Sequence, residues 1–105
     1  MATIKLVNDP TFKAKVGIPV PGGSDAPVEF TFKWRTKTEA KAWLDTVEEA
    51  KPSDAEAVQA MATGWSLDDA FTAENIARLC DVYGGASHAI LTTYLRELAG
   101  ARAKN

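Results

Sequence analysis

The hydrophobic period changes once along the chain, near Thr36, and this change restricts the possible folds more than any other feature. Before it, apolar and polar residues alternate in two runs, over residues 12–20 and 28–35. A period of two is typical of β-strands with one buried and one solvated face. Residues 21–27, rich in Gly and Pro, separate the runs, so the pattern predicts a β-hairpin. Residues 3–7 are a candidate third strand of an antiparallel sheet.

The alternation also assigns the hairpin side chains to two faces. Phe30, Phe32 and Trp34 are predicted to point inward. The outward face then carries a basic patch of Lys13, Lys15, Lys33 and Arg35. Such a patch is typical of a solvated face whose lysines discourage edge pairing. The alternative is a docking surface for an acidic peptide or for nucleic acid phosphate.

Beyond Thr36 the apolar residues recur at helical spacing, and two capping boxes mark helix starts. Thr36 with Glu39, and Ser53 with Glu56, place a hydroxyl and a carboxylate where each satisfies a free backbone amide. The first box predicts an amphipathic helix over about residues 37–50, and the second predicts a short helix.

The second half of the chain continues this helical pattern. Gly64 is predicted to end the short helix, and the structure of residues 65–71 stays open. Helices are predicted over residues 73–83 and from about residue 86, on either side of a Gly-Gly break. Residues 101–105 are expected to fray.

Strands followed by helices predict an α+β fold. We expect an N-terminal β-hairpin, possibly extended to a three-stranded antiparallel sheet, followed by four to five short α-helices. At 105 residues, the chain is expected to form a single domain, residues 1–105, with a hairpin region over 1–35 and a helical region over 36–100. A small sheet has open edges, which makes a homo-oligomer a reasonable hypothesis.

Catalytic and metal-binding residues are scarce. Cys80 and His88 are the only nucleophile and base candidates, and a Gly-Gly break separates them. Cys80 falls in an apolar helical stripe, which is typical of a buried hydrophobic residue. Asp68 and Asp69 lack the oxygen spacing of a calcium loop, and the chain has too few Cys and His for a structural zinc site. We therefore expect no enzyme activity, no metal and no cofactor.

The charge and hydropathy of the chain limit its partners and compartment. Its net charge of −2 disfavours nucleic acid as a partner. No run approaches the ~20 apolar residues needed to cross a bilayer, and the first residues lack the apolar core of a secretion signal. One cysteine excludes an internal disulfide, which fits a reducing cytoplasm.

Several large apolar side chains of the helical half are candidates for binding another macromolecule. Core packing is the ordinary role of such residues, and anchoring of a partner is the alternative, because Trp and Tyr dominate interface hot spots. The candidate partner-binding residues are Trp65, Leu67, Phe71, Tyr83 and Tyr94.

Four segments of the same half form a recognisable pattern. They are Gly64-Trp65-Ser66-Leu67-Asp68, Phe71-Thr72-Ala73-Glu74-Asn75-Ile76-Ala77-Arg78-Leu79, Tyr83-Gly84-Gly85-Ala86, and Ala89-Ile90-Leu91 with Tyr94-Leu95. This pattern resembles the small tail assembly chaperones of long-tailed bacteriophages and prophages. The resemblance extends over most of residues 10–105.

The resemblance implies a function in the cytoplasm of an infected bacterial host. Such a chaperone would bind the long, helical tape measure protein and keep it soluble until tail tube subunits polymerise around it. One alternative is a minor structural tail protein, such as a connector or tube component. The other is a small nucleic-acid-binding regulator that uses the basic hairpin face.

Overall fold

Three strands and four helices make up the part of the chain that a computed structural model describes, residues 4–100. In chain order they are β1 (Thr11–Ile18), β2 (Ala26–Lys33), α1 (Lys37–Ala50), α2 (Asp54–Met61), β3 (Ala62–Trp65), α3 (Ala73–Val82) and α4 (Ala86–Ala99). The predicted α+β fold, with an antiparallel sheet and four helices, is confirmed. The predicted frayed tail lies outside the described residues.

The sheet has the order β1-β2-β3, with both pairs antiparallel. The predicted hairpin is confirmed, with Val16 directly opposite Val28. The prediction of a third strand at residues 3–7 is wrong for residues 4–7, which lie outside the sheet with their apolar side chains exposed. Thr3 lies outside the described residues. The third strand is β3 instead, which follows directly after α2 and pairs with the free edge of β2.

Both predicted capping boxes are present. The Thr36 hydroxyl accepts from the Glu39 amide at 3.2 Å, and the Glu39 carboxylate accepts from the Thr36 amide at 2.8 Å. Ser53 and Glu56 repeat this arrangement at the start of α2. The bond from the Ser53 amide lowers the pKa of the Glu56 carboxyl, because it stabilises the ionised form. The predicted end of α2 at Gly64 is wrong, because the helix ends three residues earlier, at Met61, and β3 begins at Ala62.

The core lies between the inner face of the sheet and helices α2, α3 and α4. The side chains of Phe30, Phe32, Ile76, Ile90 and Tyr94 are completely buried there. Their rings pack closely, with Phe30 and Phe32 centroids 5.6 Å apart and Phe32 and Tyr94 centroids 5.1 Å apart. Helix α1 is peripheral, because none of its side chains is fully buried.

The alternation of inward and outward side chains stops where β2 ends. Trp34 was predicted to face the core, but its side chain is 41% exposed. Arg35 was predicted to face solvent, but it turns inward. Its Nη1 donates to the Ala60 carbonyl at 2.8 Å and to the Tyr94 hydroxyl at 2.9 Å, and its guanidinium lies 4.6 Å from the centre of the Trp43 ring. A residue beyond the last ladder pair no longer follows the strand period.

Candidate partner-binding cleft

Strand β3 and the turn after it position Trp65. The Ser66 amide donates to the Glu29 carbonyl at 2.9 Å, and the Ser66 hydroxyl accepts from the Glu29 amide at 3.0 Å, so the pairing with β2 continues one residue past the strand. The indole Nε1 of Trp65 donates to the Asp69 carbonyl at 2.7 Å. The Trp65 ring meets Phe71 edge-on, with centroids 5.1 Å apart. Trp65 is therefore held from both sides and fixes the shape of the turn.

Side-chain hydrogen bonds also fix the start of α3 relative to this turn. The Thr72 hydroxyl accepts from the Asn75 amide at 3.1 Å, as expected of an N-cap residue. The Asn75 side chain donates to the Ala70 carbonyl at 2.8 Å. Helix α3 therefore starts at a fixed position beside Trp65.

A cleft of about 510 Å³ opens between this turn and α3. Its lining residues are Trp65, Leu67, Asp69, Asn75, Arg78, Leu79, Val82 and Tyr83. The indole, aliphatic and phenol groups provide apolar walls, and Asp69 and Arg78 provide one negative and one positive charge. The Val82 side chain is 57% exposed, which leaves it accessible to a partner.

Four of the five predicted partner-binding residues come together in this region. Trp65, Leu67 and Tyr83 line the cleft, and Phe71 packs against Trp65 behind it. Tyr94 lies elsewhere, because it is fully buried in the core and has no surface to offer a partner.

The aromatic pattern missed Asp69 in the turn and four cleft residues on α3. Asn75, Arg78, Leu79 and Val82 line the cleft, whereas Ile76 and Cys80 are buried in the core. These four residues are spaced as one face of a helix, next to the face that carries Ile76 and Cys80. That spacing in the sequence could have predicted that they line a common surface.

Comparison with known families decides what kind of protein carries this cleft. A family model described as phage tail assembly chaperone matches residues 1–105. The chain belongs to the phage tail assembly chaperone family. No significant match was found among curated proteins or among solved structures. Membership confirms the family that the sequence pattern indicated, and the family description is that of a chaperone rather than an enzyme.

The predicted basic patch of this chaperone is smaller than the sequence indicated. Lys13 and Lys15 are exposed on β1, and Lys15 lies directly opposite Glu29, which offsets its charge. Lys33 is half-buried, and Arg35 belongs to the interior contacts described above. The positive charge available at the surface of β1 is therefore limited to two lysines with an acidic neighbour.

The candidate catalytic residues of the chaperone occupy ordinary structural positions. Burial raises the pKa of the Cys80 thiol to about 11, with a smaller contribution from the negative charge of Asp54. At neutral pH it is therefore protonated, whereas nucleophilic cysteines have lowered pKa values. His88 Nε2 lies 3.4 Å from the Thr92 hydroxyl on the same helix. Within residues 4–100, no three Cys, His, Asp or Glu side chains lie close enough together to hold a metal ion.

The helices of the chaperone are short. The longest, α1 and α4, have 14 residues each, and a bilayer requires about 20 apolar residues. Among the described residues, none of the helices is long and apolar enough to span a membrane.

Proposed function

We propose that this chaperone binds the tape measure protein in the cytoplasm of the bacterial host and keeps it soluble during tail assembly. The cleft between Trp65 and α3 receives the apolar face of a helix of the client. The observation that carries this proposal is the cleft itself, with apolar walls, a charged rim and a half-exposed Val82 in a chain of this family. Three of the five residues predicted to bind a partner, Trp65, Leu67 and Tyr83, line it.

The shape and chemistry of the cleft suit a helical client. An amphipathic helix binds a groove by inserting side chains spaced three and four residues apart. The side chains that α3 contributes to the cleft have the same spacing, so they can contact such a helix. Leu79 and Val82 would contact the apolar stripe of the client. Asp69 and Arg78 would contact its polar flanks and favour one direction of binding.

The structure of Trp65 supports its use as an anchor. Its indole is already fixed by the Asp69 carbonyl and by Phe71, so binding would cost little side-chain entropy. Large rigid aromatic residues with a satisfied polar atom are typical of interface hot spots. A client side chain would therefore meet a preformed surface.

Co-expression with the tape measure protein tests this function. The wild-type chain is expected to co-purify with the client and to raise the soluble fraction of the client. Val82→Lys introduces a charge into the cleft at an exposed position, and lysine is compatible with the end of a helix. We expect it to weaken binding by at least about tenfold, the effect of losing one moderate hot spot.

Val7→Lys is the matched control, because Val7 is 80% exposed and lies outside the cleft. It should bind the client like the wild type. If the wild-type chain neither co-purified with the tape measure protein nor increased its solubility, the proposed function would be wrong. If Val82→Lys bound normally, the function would stand and the cleft would not be its site.

Purified virions separate a chaperone from a structural tail component. A chaperone is expected to be absent from finished particles by mass spectrometry. Its presence in fixed proportion to the tail proteins would instead favour the minor structural role.

A further inference from the structure

Helix α1 is in contact with the rest of the protein mainly through one side chain. Trp43 meets Tyr94 edge-on with centroids 5.7 Å apart and supports the Arg35 guanidinium, but none of the fourteen residues of α1 is fully buried. Next to Trp43, α1 and α4 leave an open groove of about 500 Å³. Its lining residues are Lys37, Ala40, Lys41, Leu44, Leu95, Leu98 and Ala99.

The lining of this groove is mainly apolar, and it shares no residue with the cleft near Trp65. Leu44 of α1 and Leu95 and Leu98 of α4 provide its largest apolar side chains. By volume it accommodates roughly three small hydrophobic groups, since a cavity of about 150 Å³ holds one benzene molecule. Removing apolar surface of this kind from water lowers the free energy, so a partner that covers the groove is favoured.

The charges along α1 show what kind of partner fits the groove. The first half of the helix carries Lys37, Glu39 and Lys41, and the second half carries Asp45, Glu48 and Glu49, with Lys51 directly after the helix. Glu39 lies about 140° from Leu44 around the helix, away from the groove. At 3.6 residues per turn, Lys41, Leu44 and Glu48 fall within roughly 60° of one another around the helix. The one ion pair among residues 4–100 joins Lys5 and Asp9, so Lys41 and Glu48 have no ionic partner within the described chain.

We propose that α1 of a second copy of this chain lies antiparallel in the groove, related by a two-fold axis near Leu44. Lys41 of each copy then faces Glu48 of the other, because these residues lie three positions before and four positions after Leu44 on the same flank of the helix. A two-fold interface repeats every contact, so one complementary pair in the sequence gives two ion pairs in the dimer. Leu44 of each copy covers Leu95 and Leu98 of the other.

This charge order is the reason for choosing a second copy as the occupant. The first half of α1 has a net charge of +1, from two Lys and one Glu, and the second half has −3, from one Asp and two Glu. Such a helix is complementary to itself only when reversed. The opposite, parallel arrangement would place like charges against each other. The dimer would also leave the two clefts near Trp65 open, since groove and cleft share no residue. Two clefts on one particle would bind a long client with avidity.

Sedimentation equilibrium over a range of concentrations at low ionic strength tests this pairing. The wild type is expected to be a reversible dimer. Lys41→Glu and Glu48→Lys each place like charges opposite each other twice, and each should weaken dimerisation by about tenfold. The double variant, with both substitutions, exchanges the charges and should regain most of the wild-type affinity. Leu44→Asp should give a monomer.

Lys15→Glu, a charge reversal on the exposed face of β1, is the control and should dimerise like the wild type. Circular dichroism checks that each variant is folded. A monomeric wild type, an assembly larger than a dimer, or a dimer unaffected by Leu44→Asp would overturn the proposal. So would a dimer that Leu6→Asp abolishes, because the exposed segment before β1 would then be the contact. A monomer that still solubilised the tape measure protein would refute the pairing but not the proposed function.

Discussion

Tyr94 connects three elements through its hydroxyl, and removing that hydroxyl is a direct test of how the fold is held together. The hydroxyl donates to the Lys33 carbonyl at 2.7 Å and accepts from Arg35 Nη1 at 2.9 Å. Arg35 Nη1 also donates to the Ala60 carbonyl. The end of β2, the end of α2 and the middle of α4 therefore meet at one phenol. Tyr94→Phe removes the oxygen and keeps the ring.

The expected loss follows from these two bonds. The bond to the Lys33 carbonyl is neutral, and its loss leaves a carbonyl without this partner, at a cost of about 1 kcal/mol. The bond from Arg35 is charge-assisted, but Arg35 keeps the Ala60 carbonyl and is half-exposed, so we assign it about 1 kcal/mol as well. The free energy of unfolding should fall by about 2 kcal/mol. For a chain of this size, that lowers Tm by on the order of 10 °C.

The pH dependence of stability gives a second readout. Burial raises the pKa of Tyr94 above its usual value of 10.0, against the opposing effect of Arg35. Because the pKa is higher in the folded state, this group contributes stability that is fully present below the unfolded-state pKa. That contribution is lost as the pH rises through the folded-state pKa. The phenylalanine variant lacks this alkaline loss, so the difference between the two proteins should shrink at high pH.

Urea denaturation followed by tryptophan fluorescence, at neutral and alkaline pH, measures both quantities. Tyr83→Phe is the matched control, because the Tyr83 hydroxyl makes no side-chain hydrogen bond within residues 4–100, and its loss should be near zero. A loss below about 0.5 kcal/mol for Tyr94→Phe, which is the range of ordinary surface substitutions, would refute the reasoning. So would an alkaline profile identical to that of the wild type.

Two further predictions concern single side chains. Ser53→Ala removes the hydroxyl that caps α2 and should lower the free energy of unfolding by about 1 kcal/mol in the same denaturation assay. Ser24→Ala, in the loop between β1 and β2, should have no measurable effect, and equal losses for the two variants would contradict the role of the cap. With its pKa near 11, the Cys80 thiol is ionised in about one molecule in a thousand at pH 8, so a disulfide reagent should label the native chain far more slowly than the urea-unfolded chain. Equal labelling rates would show that the thiol is accessible.

Local patterns in the sequence were sufficient to predict most of the fold. The alternation around Val16 and Val28 predicted the hairpin, since a buried face needs a period of two. The hydroxyl and carboxylate pairs at Thr36 and Ser53 placed two helix starts, because the capping box involves only residues three positions apart. These features depend on near neighbours and are therefore visible in the chain itself.

The features that the sequence missed depend on distant partners. Strand β3 has four residues, including Gly64, and its pairing with Phe30 and Phe32 makes it a strand. Arg35 is adjacent to a strand of alternating residues, yet its position is set by Ala60 and Tyr94, which are 25 and 59 positions away. The alternation of residues within the hairpin contains no information about the pairing of β3 or about the partners of Arg35.

The sequence predicted some of the residues that line the candidate cleft, but not all of them. Trp65, Leu67 and Tyr83 were identified as large apolar residues in a segment with few evident packing partners. Residue type alone could not separate them from Tyr94, because burial of a tyrosine depends on whether its hydroxyl finds a partner inside the fold. The carbonyl of Lys33 provides that partner, and it became visible only in the tertiary structure.

The direct passage from α2 into β3 also predicts where this chain tolerates length changes. Met61 ends the helix and Ala62 begins the strand, with no connecting residue. An inserted residue at this junction would shift β3 by one position and turn each of its side chains to the opposite face, which would remove Trp65 from the cleft. The loop between β1 and β2, by contrast, has exposed residues at 21–25 that can absorb an insertion without altering the register of the hairpin. Natural insertions and deletions should therefore accumulate in that loop and be absent between Met61 and Ala62.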